Sequence, residues 1–193
     1  TYDRVTICSN GWICMDSTWW VAFRNWQLPD PSYAQGMIAG FWDDLWPYST
    51  DNVYTYYDTG NNRYIIEWNN VKVRWNSYTR ETFQIILYDP AYHQTITGDG
   101  VIEFVFNDVN NTDGGFGENY ASVGWEDSTE TIGFSISYSN IMTSGCASLV
   151  DGRVYRISPN TGRGAVSGLV TVNDGDPTDV IIKTSTGQWA VMN

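Results

Sequence analysis

Apolar side chains recur at every second position through several short segments of this chain, and turn-forming residues separate the segments. For example, Val71, Val73 and Trp75 share one side while Lys72 and Arg74 point to the other. Such alternation is typical of a β-strand with one buried and one solvent-facing side. No segment shows helical spacing of apolar residues over a dozen positions. Strands repeating about every 8–12 residues predict an all-β fold, an antiparallel β-sandwich of the jelly-roll kind.

The clearest pair of strands is 53–57 and 63–68, because a turn rich in glycine and asparagine joins them. Two strands with such a turn between them predict a β-hairpin. The Asn69-Asn70 pair is predicted to end the second strand, so that a separate strand begins at Val71.

A stretch of linker composition, 158–164, divides the chain. We therefore predict a β-sandwich module over residues 1–157, a linker over 158–164 and short C-terminal strands over 165–193. These strands either begin an incomplete second domain, or pack on the first domain or on a neighbouring chain.

The chain carries 22 acidic and 10 basic residues, a formal net charge of -12. Nucleic-acid phosphates and anionic membrane surfaces repel such a chain, so neither is a predicted partner. No stretch approaches the roughly 20 apolar residues of a membrane-spanning helix, so membrane insertion is not expected. The first residues lack a basic region followed by an apolar run, so we expect a mature protein or a fragment.

Aromatic residues are abundant, with ten tryptophans, thirteen tyrosines and seven phenylalanines. They suit the cores of pleated sheets, and they also suit surfaces that bind sugars or proteins. Trp19 and Trp20 are adjacent, and adjacent side chains of an extended chain face opposite ways, so one is predicted buried and the other exposed. The candidate ligand-binding residues are Trp19, Trp20, Trp46 and Tyr48.

Calcium is the one cofactor that the sequence suggests. The polar loop 107–119 concentrates oxygen ligands and glycines, and Ca²⁺ takes about six to eight oxygens in flexible geometry. An ordinary acidic surface loop is the alternative. Asp43 and Asp44 would face opposite sides of a strand, so one is expected to cap or bind calcium and the other to face water. The candidate calcium ligands are Asp108, Asn110, Asp113, Glu118, Asp43 and Asp44.

Three cysteines are present, at Cys8, Cys14 and Cys146, and no C-x-x-C motif occurs among them. The common zinc and redox signatures are therefore absent. One disulfide can form, with one thiol left over. Cys8 and Cys14 are close enough in sequence to pair, and Cys146 can pair with either, so the connectivity stays open.

Catalysis is not predicted. The single histidine, His93, follows a strand in a turn, and no G-x-S-x-G motif supplies a nucleophile, so a hydrolytic triad is not supported. Asp43 and Asp44 cannot both face one reaction centre from a strand, as a glycosidase pair must. Glu67 and Glu103 lie in predicted strands, but nothing in the spacing selects them as the second carboxylate.

The chain contains an ordered set of motifs: VTICSNGWI at 5–13, Asn25 with Leu28-Pro29, MIAGFWDDL at 37–45, IIEWNNV at 65–71, TFQIILY at 82–88 and ASVGWE at 121–126. This set resembles a β-sandwich accessory module of secreted bacterial peptidases and surface proteins, and more distantly the nidogen-type extracellular domain. The resemblance covers about residues 1–157. The segment 164–171 resembles the opening strand of carboxypeptidase-regulatory-like, transthyretin-type repeats.

The resemblance implies a non-catalytic extracellular or cell-surface module of a bacterial protein that serves adhesion, spacing or assembly. Its expected partner is a protein or glycan at a cell surface, or copies of itself. One alternative is a carbohydrate-binding module with a structural calcium ion. Another is a subunit of an extracellular filament joined by β-strand addition.

Overall fold

The protein is described by a computed structural model, in which residues 3–47, 52–74, 79–110 and 121–159 are placed, with the backbone of 168–172, 181–183 and 189–191. These residues form strands and no α-helix, so the predicted all-β class is confirmed. None of them forms a helix long and apolar enough to cross a membrane. The strands are β1 (Thr6–Cys8), β2 (Trp12–Cys14), β3 (Met37–Trp42), β4 (Leu45–Trp46), β5 (Val53–Asp58), β6 (Arg63–Val73), β7 (Arg80–Tyr88), β8 (Ile102–Asp108), β9 (Ser122–Glu126), β10 (Gly133–Tyr138), β11 (Ile141–Met142), β12 (Val154–Pro159), β13 (Gly168–Val172), β14 (Ile181–Lys183) and β15 (Trp189–Val191).

Two antiparallel sheets contain most of these strands, as the predicted sandwich requires. The first sheet has the order β1-β2-β3-β9-β10-β11. The second has the order β13-β12-β8-β7-β6-β4, and β5 also pairs with β6. Strands β14 and β15 pair with each other in a small third sheet.

The chain divides into two compact units. Unit 1 consists of residues 1–53, 68–81 and 110–143, and it contains the whole of the first sheet. Unit 2 consists of residues 54–67, 82–109 and 144–193.

In unit 1, strand β3 is buried along its whole length, because both sides of the first sheet are covered there. Trp12 lies opposite Ala39 across the β2–β3 ladder, and the neighbouring pair, Ile13 and Ile38, faces the other side. All four side chains are buried. A strand buried on both sides loses the alternation of apolar and polar residues.

The turn between β1 and β2 requires glycine. Gly11 has a φ of 81°, and a Cβ added there would lie 1.8 Å from the carbonyl oxygen of Phe41. The amides of Gly40 and Phe41 donate to the Gly11 carbonyl, which holds this turn against β3. Trp68 of the second sheet donates its indole N–H to the carbonyl of Cys8 in the first sheet, at 3.2 Å.

The predicted hairpin is confirmed as β5 and β6. The prediction that Asn69-Asn70 ends the second strand is wrong, since β6 continues to Val73. Asn70 takes a left-handed φ of 55° inside the strand. Asparagine tolerates this conformation better than most residues, so the pair marks an irregularity within one strand.

Unit 2 carries a polar cluster around the ring of Tyr88. The Tyr88 hydroxyl donates to Glu103 at 2.7 Å and accepts from Arg63 at 3.3 Å. Arg156 pairs with Glu103, and both guanidinium groups lie over the Tyr88 ring, within 5.9 Å of its centre. Hydrogen bonds from Asn61 and Arg63 hold the pKa of Asp58 below its ordinary value. We call Asp58, Arg63, Tyr88, Glu103 and Arg156 the Tyr88 cluster.

Strand β13 pairs antiparallel with β12 of the same chain, from Pro159 opposite Gly168 to Tyr155 opposite Val172. Most of the predicted linker 158–164 lies outside the described residues. The division into a module at 1–157 and strands at 165–193 therefore stays a prediction.

Candidate functional site

Residues 15–36 connect β2 to β3 without forming a strand, and they lie on the first sheet of unit 1. Ala22, Leu28 and Ala34 of this segment belong to one buried cluster with strand residues. We call residues 15–36 the braced loop. The strand residues of the cluster are Cys8, Trp12, Cys14, Met37, Ala39 and Trp42.

The middle of the braced loop is fixed by two buried tryptophans. The indole N–H groups of Trp12 and Trp42 both donate to the carbonyl of Ala22, at 2.9 and 3.1 Å. The side-chain amide of Asn10 donates to the neighbouring carbonyl of Val21 at 3.2 Å. Buried indoles need a hydrogen-bond acceptor, and here the loop backbone supplies it.

Buried serines fix the next turn of the loop. Asn25 donates to the hydroxyl of Ser122 at 2.6 Å, and that hydroxyl donates to the carbonyl of Trp26 at 2.9 Å. Ser135 accepts from the amide of Leu28 at 2.8 Å and donates to its carbonyl at 3.1 Å. Ser122 and Ser135 belong to β9 and β10, so strand side chains take the place of a backbone ladder.

A buried carboxyl group holds the last part of the loop. Oε2 of Glu126 accepts the amide of Asp30 at 2.8 Å, and the side chain is buried. Burial raises the pKa of Glu126 to about 7, and the nearby charges of Glu130 and Asp30 add to the rise. The group therefore titrates in the neutral range.

The loop presents two stacked indole rings to solvent. Trp19 is 80% exposed and Trp20 is 37% exposed, with ring centres 4.6 Å apart and planes 18° apart. The prediction that one is buried and the other exposed is wrong. It assumed an extended strand, whereas these residues lie in an irregular segment where alternation does not hold.

Two further rings connect this stack to the core. Tyr33 contacts Trp20 edge-on at 5.8 Å and the buried Trp42 at 5.2 Å. The half-exposed Trp26 donates its indole N–H to the Tyr33 hydroxyl at 2.6 Å. We call Trp19, Trp20, Trp26 and Tyr33 the aromatic surface.

Trp46, another predicted ligand-binding residue, lies in a separate groove of about 930 Å³ in unit 1. Its ring is 50% exposed, with Lys72 Nζ at 5.2 Å and the Arg74 guanidinium at 5.9 Å from the ring centre. Tyr48 lies outside the described residues. The groove is lined by Ser9, Asn10, Val21, Phe23, Asp44, Leu45, Trp46, Pro47, Val53 and Arg74.

Asp43 and Asp44 are both buried, so the expectation that one faces water is wrong. They lie in the bend between β3 and β4, where the alternation of a strand does not apply. Asp43 accepts the amide of Asp44 at 2.6 Å, and Asp44 lies 3.8 Å from the Arg74 guanidinium. Both carboxylates make local contacts, and a role for either in binding calcium stays a prediction.

The predicted calcium loop is described only at its beginning. Asp108 is exposed at the end of β8. The amide of Asn110 donates to Glu81 at 2.9 Å, and its side chain donates to the carbonyl of Arg80 at 2.7 Å. Within the described ranges, no three acidic, histidine or cysteine side chains gather to hold an ion. Asp113 and Glu118 lie outside those ranges, and calcium stays a prediction.

Cys8 and Cys14 are buried, and Cys146 is partly buried. Cys8 lies opposite Trp12 in the β1–β2 ladder, while Cys14 lies opposite Thr6, so the two are offset along the strands. Cys14 donates to the carbonyl of Asp16 at 3.1 Å. Burial raises the pKa of Cys8, and it raises that of Cys146 to about 11. A disulfide among them stays a prediction.

Sequence reasoning placed Trp19 and Trp20 among the candidates but missed the residues that hold their loop. Asn25, Ser122, Ser135 and Glu126 are polar, and polarity alone predicts exposure. Burial of a polar residue depends on a partner distant in sequence, and no local pattern reports that partner. The one available signal was the lack of alternation over residues 15–36, in a stretch rich in tryptophan.

The family model described as NIDO related matches residues 1–163 of the chain. No curated protein and no solved structure matches the chain.

Proposed function

Because the chain belongs to the NIDO-related family, a family of non-enzymatic, extracellular-type modules, we propose that it is an adhesion module that binds its partner through the aromatic surface. The observation that carries this proposal is the stacked, exposed pair of Trp19 and Trp20 on a loop fixed to the sheet beneath it. Exposed aromatic groups of this kind concentrate binding energy in protein interfaces and ligand sites.

The fixing of the loop supports binding as well as stability. Ordering a flexible loop on binding costs free energy, which a loop already held in place avoids. The braced loop is held at Ala22, at Trp26, at Leu28 and at Asp30 by buried side chains of the sheet. The indole rings are therefore presented in one arrangement before any partner arrives.

A glycan is the partner class that we favour for this surface. The ring of Trp19 is largely open to solvent, and its inner face is supported by Trp20. An open, flat indole suits the apolar face of a sugar ring. The Tyr33 hydroxyl, which accepts from the Trp26 indole and belongs to a ring that contacts Trp20, is a polar group of the same surface. A protein surface is the second candidate.

The test compares matched aromatic substitutions on labelled protein applied to a glycan array and to immobilised extracellular-matrix proteins. Trp19→Ala with Trp20→Ala should reduce binding at least about tenfold, because hot-spot side chains contribute roughly 1–2 kcal/mol or more each. The control removes two other exposed rings, Tyr56→Ala with Tyr92→Ala, and should bind normally. Equal binding by both double variants would refute the proposal, and signal on the protein spots alone would replace the glycan by a protein.

A structural calcium ion at the loop that begins at Asp108 is a further part of this proposal. Oxygen-rich loops gain stability when Ca²⁺ binds, in proportion to the logarithm of its concentration. The melting temperature should rise with millimolar CaCl₂ and fall back with EDTA, whereas MgCl₂ should have less effect. If CaCl₂, EDTA and MgCl₂ all leave the melting temperature unchanged, calcium is removed from the proposal.

A further inference from the structure

Residues of the braced loop and of strand β4 together line the groove beside Trp46. Val21 and Phe23 come from the loop, and Leu45 and Trp46 come from β4. The volume of about 930 Å³ falls within the roughly 300–1,000 Å³ that is usual for ligand sites, which enclose most of a drug-sized molecule. The groove is therefore large enough for more than one sugar ring.

This groove begins next to the aromatic surface. Val21, which lines the groove, directly follows Trp20 in the chain and is 72% exposed. The side-chain amide of Asn10, another part of the lining, donates to the Val21 carbonyl at 3.2 Å and fixes this point of the loop. Consecutive Cα atoms are about 3.8 Å apart, so one extended ligand can reach both the stacked rings and the groove.

Two half-exposed aromatic rings contribute to the lining. Trp46 is 50% exposed and Phe23 is 43% exposed. Lys72 Nζ and the Arg74 guanidinium lie 5.2 and 5.9 Å from the centre of the Trp46 ring, and such cation–π contacts help to hold the ring in place. A ring that is already held loses little conformational entropy when a ligand stacks on it. The groove thus offers a second aromatic contact to a ligand on the stacked indoles.

The charges of the lining balance one another. Among the lining residues that the structure describes, only Asp44 and Arg74 carry charge, and their side chains lie 3.8 Å apart. Ser9 and Asn10 add a hydroxyl and an amide group. A charged ligand gains little from a balanced pair, and a wholly apolar ligand leaves these polar groups without contacts. The lining therefore suits an uncharged ligand that carries hydroxyl groups on a partly apolar frame.

We infer that this groove is a second subsite for the ligand of the aromatic surface, and that this ligand is an uncharged oligosaccharide of several sugar units. The inference rests on the proposed glycan-binding function and adds to it the charge and the length of the glycan. One sugar unit stacks on Trp19, and units further along the glycan enter the groove and contact the ring of Trp46. The affinity should therefore increase with the number of sugar units until both subsites are filled.

Titration calorimetry on the full chain tests this with three neutral series, from disaccharide to hexasaccharide: cello-oligosaccharides, malto-oligosaccharides and N-acetylated chito-oligosaccharides. In at least one series, the hexasaccharide should bind at least about tenfold more tightly than the disaccharide, which corresponds to about 1.4 kcal/mol. Hexameric oligogalacturonate, an anionic chain, should bind at least about tenfold more weakly than that neutral hexasaccharide.

Substitution of Trp46 separates the two subsites. Trp46→Ala should bind the disaccharide about as well as the unaltered chain does, but it should lose most of the increase in affinity with length. Trp46→Tyr keeps a flat ring and should retain that increase. Trp19→Ala with Trp20→Ala should weaken binding at every length. Tyr92→Ala, which removes an exposed ring in unit 2, is the control and should change nothing.

Four results would each overturn the inference: an affinity that does not rise with length, a full increase retained by Trp46→Ala, a preference for oligogalacturonate, or no binding in any of the three series. The proposed function survives these results if Trp19→Ala with Trp20→Ala still reduces binding on the glycan array. If that double variant binds the array as well as its control does, the proposed function itself is refuted.

Discussion

The braced loop of unit 1 and the Tyr88 cluster of unit 2 both depend on side-chain hydrogen bonds, but they differ in their access to water. Ser122, Ser135 and Glu126 are buried beneath the loop. In the Tyr88 cluster, Arg156 is 37% exposed. A buried hydrogen bond is costly to break because its partner cannot turn to water, whereas an exposed one is replaced by water at little cost.

The two regions therefore differ in how strongly their side-chain hydrogen bonds fix the backbone. The buried contacts hold an irregular backbone that carries the aromatic surface. The Tyr88 cluster lies on strands that are already ordered by backbone pairing with their neighbours. Four measurements, taken in order of decreasing expected effect, test this contrast.

The largest effect is expected from Trp42→Ala, which removes a buried ring from beneath the braced loop and one of the two donors to Ala22. The free energy of unfolding should fall by about 3–5 kcal/mol, from the lost burial and the cavity left behind. Urea denaturation measures it, and Tyr56→Ala, which removes an exposed ring, should cost under about 0.5 kcal/mol. A small loss for Trp42→Ala would mean that the loop lies on the sheet without being held by it.

The second measurement uses pH. The pKa of Glu126 is about 7 in the folded chain against 4.5 for an ordinary glutamate, so the folded state binds this proton more tightly than the unfolded state. The contribution of Glu126 to the free energy of unfolding is therefore greatest below about pH 4.5. This contribution falls by roughly 3 kcal/mol as the pH rises to 7.

Glu126→Gln should remove this part of the pH dependence, measured as the difference between its urea-denaturation profile and that of the unaltered chain. Asp3→Asn, which neutralises an exposed carboxylate, should leave the profile unchanged. Parallel profiles for Glu126→Gln and the unaltered chain would show that water reaches this end of the loop.

A smaller effect is expected from Ser122→Ala, which leaves the Asn25 amide and the Trp26 carbonyl without their shared partner. The free energy of unfolding should fall by about 1–3 kcal/mol, the usual cost of leaving buried polar groups unpaired. Hydrogen exchange at the Leu28 amide should accelerate, because opening of the loop becomes easier. Ser128→Ala, at an exposed serine, is the matched control, and equal exchange in the two variants would contradict the assignment.

The smallest effect is expected from Arg156→Gln in the Tyr88 cluster. Its ion pair with Glu103 is partly exposed, so the free energy of unfolding should fall by less than about 1 kcal/mol. Added salt should reduce this difference further. If the free energy of unfolding falls by more than about 2 kcal/mol, the Tyr88 cluster contributes as much as a buried contact, and the contrast between the two regions is wrong.

The same contrast explains which parts of the molecule could be predicted from the sequence. Val71 and Val73 repeat with period two, and both are buried on one side of β6. The β5–β6 hairpin follows from local turn residues in the same way. In each case, the residues that determine the structure lie within a few positions of one another.

The candidate site could not be predicted in this way. Asn25 and Ser122 are 97 positions apart, and Leu28 and Ser135 are 107 apart. Trp19 and Trp20 were identified from composition, but their stacking depends on a backbone that these distant contacts impose. Asp43 and Asp44 were misplaced for a related reason, because the bend that buries them is held by Asn10 of another strand connection.

The two indole bonds to Ala22 divide residues 15–36 into two shorter spans that share one anchor. Closing a shorter span costs less entropy, and a change in one span does not loosen the other. Substitutions at positions 18–20 can therefore change the surface that the loop exposes while the rest of the loop remains in place. A loop with a fixed midpoint and an exchangeable tip is a practical scaffold for displaying designed sequences.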